Sequence, residues 1–137
     1  MGSKSDTYEN HVLQYLLDDA ALTRPTVWYI ALGTAGSDSA FTELTTANYT
    51  NYARVQVNAV GGASPAWSIS GSAATNSGEV RFDAGNSASG PTATHFAVMA
   101  HATNNAPIYW GALDSSLAIL ANVIPEFANG AIDITED

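Results

Sequence analysis

After Pro25 the chain is a succession of short apolar or alternating runs separated by turn-forming residues, and this punctuation leaves little room for anything but antiparallel β-structure. Residues 27–32, Val-Trp-Tyr-Ile-Ala-Leu, are apolar on both faces, as a central strand requires. Residues 52–58 alternate, which places Ala53, Val55 and Val57 inward and Arg54, Gln56 and Asn58 outward. Residues 79–82 repeat that pattern in miniature. Residues 94–99 and 108–113 supply two more strands, joined by the turn sequence Asn104-Asn105-Ala106-Pro107. Residues 117–123 and 131–135 complete the set, with Asn129-Gly130 turning the chain into the last strand. About seven short strands in this order predict a mainly β fold, an antiparallel β-sandwich or jelly-roll-like barrel. A chain of 137 residues suits a single sandwich domain over 1–137.

One helix precedes the strands. Tyr8, Val12, Tyr15 and Leu16 recur at helical spacing, with Leu13 and Leu17 widening the stripe, which predicts a short N-terminal α-helix over about residues 7–18. Asp6 and Glu9 have the spacing of a capping box, and Asp18-Asp19 mark the exit, where negative charge opposes the helix dipole. Pro25 prevents much continuation. About three turns of helix are marginal alone, so the apolar face is expected to dock on something, and the helix offers contact surface beside the sandwich.

Two segments, 33–49 and 61–78, are longer than hairpin loops and nearly uncharged. They carry Phe41, Leu44, Trp67 and Ile69, and such excursions commonly serve a function, here packing on a neighbour. Trp67 has three readings: a plug over one end of the sandwich, an interface anchor, or a sugar-stacking platform. Trp28, Tyr29, Tyr109 and Trp110 lie within strands and are expected in the core.

The charge balance narrows the function. Only 12% of residues are charged, and 13 acids against 4 bases give a net charge of −9. Four basic groups are too few to neutralise a nucleic-acid backbone, so no nucleic-acid partner is expected. Zero cysteines exclude disulfides, thiolate metal sites and a cysteine nucleophile. His11, His95 and His101 fall in no metal or nucleophile motif, and no Gly-x-Ser-x-Gly elbow or stepped calcium loop occurs. The expectation is therefore a non-enzyme with no catalytic residue, cofactor or metal. Met1-Gly2-Ser3-Lys4-Ser5-Asp6 lacks the apolar core of an export signal, and residues 27–32 are too short to span a bilayer, so no membrane association is expected.

The order of short motifs resembles a family of small tailed-phage virion proteins commonly labelled tail fibre proteins. The helix before Pro25 is followed by Tyr29-Ile30-Ala31-Leu32, Thr42-Glu43, Tyr52-Ala53-Arg54, Asn76-Ser77 and Val80-Arg81-Phe82. Thr94-His95-Phe96, Trp110-Gly111-Ala112-Leu113, Pro125-Glu126-Phe127 and Gly130 come next, then the strand at 132–135. The resemblance implies a bacteriophage structural protein of the virion, made in the host bacterial cytoplasm. Two roles follow from it. One is a capsid decoration (cement) protein that bridges shell subunits from the outer surface of the capsid, with the major capsid protein or other virion proteins as partners. The other is a tail-fibre or tail-tip module that binds a host surface receptor or glycan. Low surface charge favours self-association, and the resemblance implies a trimer as the homo-oligomer. Arg54, Arg81, Trp67, Phe41 and Leu44 are the interface candidates.

Overall fold

The computed structural model describes residues 3–19, 21, 23–105 and 107–136. It is mainly β with one helix, as the periodicities predict. In chain order the elements are β1 (Ser3–Lys4), α1 (Asp6–Leu17), β2 (Trp28–Ser37), β3 (Ala40–Glu43), β4 (Val55–Val57) and β5 (Ala66–Ser70). There follow β6 (Ala73–Ser77), β7 (Val80–Arg81), β8 (Thr92–Met99), β9 (Pro107–Ala118), β10 (Glu126–Phe127) and β11 (Asp133–Thr135).

The largest sheet runs β1-β9-β8-β2-β3, and β4 also pairs with the first part of β2. A three-stranded sheet β11-β6-β5 and a two-stranded ribbon β10-β7 complete the sandwich, and all strand pairs are antiparallel. Alternation along the central strands sorts their side chains. Ile30 and Leu32 of β2, with Phe96 and Val98 of β8, enter one core with Trp67, Val80, Phe82, Ile132 and Ile134 from the smaller sheets. Ala31, Ala97 and Met99 point to the other face, where Phe41, Tyr29 and Trp110 cover them. A strand apolar on both faces is thus explained: β2 is packed on both sides. The aromatics expected in the core divide between these two faces and are only half-buried, because each closes the margin of its cluster.

Several sequence-based expectations are corrected. The segment 33–49 is not a loop excursion: its first part extends β2 to Ser37, and Ala40–Glu43 returns beside it. At the far end of this pair β3 lies close over Gly33, which leaves room for it; a Cβ there would lie 2.4 Å from the Thr42 carbonyl oxygen. Likewise 61–78 holds the hairpin β5–β6, turned at Gly71 with φ 61°. Residues 119–123 form no strand. Ile119 is fully buried, its N–H donates to the Pro91 carbonyl, and Asn122 sits in the left-handed region at φ 67°. This stretch bonds to the 85–91 loop in place of a sheet neighbour.

The polar anchor of the smaller sheet is Asn76, which is fully buried. Its Nδ2 donates to the carbonyls of Gly78 (2.8 Å) and Ala128 (2.9 Å), and its Oδ1 accepts from the Ile132 N–H at 2.8 Å. The Asn76 carbonyl takes the Gly130 N–H as well, so one residue fixes the turn that Asn129-Gly130 signals. Buried backbone groups left without partners cost about 1–3 kcal/mol. Asn76→Ala should therefore lower unfolding stability in urea by about 3 kcal/mol, with hydrogen exchange accelerating first at Gly130 and Ile132.

Candidate interaction surface

No cluster of three or more His, Asp or Glu side chains able to hold a metal occurs among the described residues. No helix among them is long and apolar enough to cross a membrane. His95 is half-buried with Nδ1 2.9 Å from Thr94 Oγ1, His11 packs edge-on against Tyr8, and His101 is exposed. What the fold does present is apolar surface, in two places.

The first is α1. Its N-cap is Ser5, not Asp6, and the Ser5 hydroxyl donates to the Pro107 carbonyl at 2.6 Å in place of capping the helix. The Ser5 N–H bonds Ile108 and the Asp6 N–H bonds Asp38, so the helix start is pinned to the large sheet. Beyond Tyr8 and His11, which are half-buried, the helix stands clear. None of its residues is buried, so the apolar stripe is left largely to solvent. Leu13, Leu16 and Leu17 are 56%, 67% and 81% exposed. The contact is confined to the start of the helix: Tyr8 packs against the core, whereas Tyr15, two turns on along the same face, is 74% exposed.

The second is a groove of about 780 Å³ between the large sheet and the β5–β6 hairpin. Trp28, Val98 and Tyr109 form its floor from one side, Trp67 and Ala74 from the other, and Arg24-Pro25-Thr26 close one wall. Val60 and Ile69 stand at its lips, 59% and 64% exposed. At one end the Tyr109 hydroxyl donates to Glu136, which also pairs with Lys4 at 2.7 Å. Burial, then the Glu136 hydrogen bond, raises the Tyr109 phenol above its ordinary value. Burial alone would raise the Glu136 carboxyl too, but the Lys4 and Tyr109 hydrogen bonds outweigh it and hold the carboxyl below its ordinary range.

Of the sequence-derived interface candidates, Trp67 alone lines this groove. Phe41, Leu44 and Trp67 are buried at 5%, 5% and 7% exposure, so the chain's own core takes them up. For Trp67 this fits the plug reading, since it closes the core beneath the groove. Arg54 does not point outward. Its side chain is 4% exposed and forks onto Glu43, with Nε 2.8 Å from Oε1 and NH2 2.6 Å from Oε2. NH1 donates to the carbonyls of His101 (2.6 Å) and Asn104 (2.8 Å). The Tyr52 hydroxyl donates to the same carboxylate at 2.6 Å and accepts the Leu32 N–H at 3.1 Å. Tyr52 and Arg54 both reach Glu43, so the expected alternation breaks down there and the strand is confined to Val55–Val57. Arg81 is as predicted, on the outer face of β7, 54% exposed and loosely paired with Glu79 at 3.5 Å and Glu126 at 3.7 Å.

The whole described fold, from β1 to β11, corresponds to one known family. The profile of the podophage GP4 fiber I protein gp80 matches residues 3–135. The chain belongs to this family. A structural virion role follows at that level, in agreement with the resemblance carried by the motif order. Among curated proteins none matches the chain. The helix stripe was legible in the sequence as an apolar face needing a contact. The groove was missed, because it joins residues from 24 to 136 and has no local signal.

Two outcomes follow from this geometry. Arg54→Gln should destabilise the isolated protein by about 3 kcal/mol, because it strands a partly buried carboxylate and two carbonyls. Arg81→Gln should change stability by less than about 0.5 kcal/mol; equal effects in urea unfolding would refute the assignment of Arg54 as internal. Glu136 gives a pH dependence. Its folded-state pKa is depressed, so its contribution is present above the ordinary value of 4.5 and is lost as pH falls below it. Thermal melts should show an acid-side loss between pH 5 and 3, roughly, that is reduced in Glu136→Gln.

Proposed function

We infer that this chain is an assembly module of the phage fibre apparatus at the tail, acting through contact surfaces and not through catalysis. The family match over residues 3–135 carries this reading, because it covers the helix and all of the groove's lining but Glu136. The geometry supports it: a block of packed sheets offers rigidity, and the exposed leucines of α1 offer a contact face that the block does not use itself. Apolar patches of this kind on a small protein mark interaction sites.

The shell-clamping role is the second reading. Its support is the net charge of −9, which suits an outer surface away from packaged DNA. Multivalent attachment would serve either role, since many modest contacts on one particle add up.

Particles lacking the protein separate the two. The fibre reading expects normal heat resistance with reduced adsorption to host cells, and labelled antibody bound at the tail. Particles that assemble but burst at lower temperature, with adsorption intact and label over the shell, would overturn it in favour of the clamp.

A further inference from the structure

We propose that the groove between the large sheet and the β5–β6 hairpin is the seat for helix α1 of a second copy of this chain. The inference goes beyond the fibre reading and concerns a contact that would serve a tail or a shell protein equally.

The two surfaces are complementary in kind. Helix α1 extends about 18 Å and turns Leu13, Leu16 and Leu17 to solvent, at the i, i+3 and i+4 spacing by which an amphipathic helix anchors in an apolar groove. The groove, of about 780 Å³, is floored by Trp28, Trp67 and Tyr109, and its lips expose Val60 and Ile69. Neither surface is closed by its own chain.

Charge identifies the occupant and its direction. Of the four bases, Lys4, Arg54 and Arg81 are each paired with a carboxylate. Arg24, on the wall of the groove, is exposed and is the one Lys or Arg among the described residues without such a pair. The exit of α1 carries exposed Asp18 and Asp19, and the last helical turn holds no base. A helix seated with its C-terminal end at Arg24 joins the unpaired base to the unpaired acids. Two chains of net charge −9 repel each other in most orientations, so this local attraction also selects the register. Such a helix-to-groove contact gives a two-fold, isologous pair when two chains exchange helices, and a heterologous ring when each helix passes to the next chain.

The full-length chain tests this by light scattering across a concentration series. The expected result is a mass of two or more chains that falls to one in Leu13→Glu/Leu16→Glu and in Val60→Glu/Ile69→Glu. All four positions are exposed, so circular dichroism and melting should remain those of the parent. Mixing the two variants restores association, because one supplies an intact helix and the other an intact groove. Arg24→Glu should weaken association by about tenfold, and Asp18→Arg/Asp19→Arg in the same chain should recover it. A single-chain mass at every concentration, association that survives either double variant, or a mixture that stays dissociated would overturn the proposal. None of these results bears on where antibody labels the particle, so the fibre reading stands or falls separately.

Discussion

The fork of Arg54 on Glu43 is the interaction from which the arrangement of the large sheet follows. Glu43 ends β3, Arg54 precedes β4, and the same guanidinium takes two carbonyls from the connection between β8 and β9. Through Tyr52 the cluster reaches the backbone of Leu32 in β2. Three segments with no ladder bonds between them are thereby fixed in one place. A buried ion pair need not add net stability over an apolar substitute, yet breaking one side is costly, which makes such a pair a strong determinant of register. In a chain with so few charges, the cost of a wrong arrangement is correspondingly specific.

Asn76 does for the small sheet what Arg54 does for the large one. The region it holds, 128–132, is mostly turn and extended chain, with few apolar side chains before Ile132. Such a stretch is poorly specified by burial alone. Hydrogen bonds from one buried amide replace what packing does elsewhere, and they bring Ile132 and Ile134 into the core.

Much of this fold was legible in the residues. The alternation of 79–82, the two-faced run at 27–32 and the turn at Asn129-Gly130 each matched an element, because they reflect local backbone geometry. The failures share a cause. Arg54 was assigned outward by extending a period of two through residues whose side chains converge on a distant carboxylate. The β5–β6 hairpin was read as loop because its Ala, Ser and Thr residues make a weak pattern, although Gly71 marked its turn. The leucines of α1 read as an apolar stripe in need of a contact, but such a stripe states only that a face is apolar, not which molecule covers it.

The clip between Lys4 and Glu136 has a mechanical consequence. The first and last strands described, β1 and β11, lie on different sheets, and the clip joins the segments that hold them. Tension applied between the two ends would be borne first at that corner, by one ion pair and two short ladders. Tension applied between the helix and the groove of the same chain would instead cross the long β8–β9 and β2–β8 ladders in the body of the sandwich. The molecule is thus strong along one load path and weak along the other.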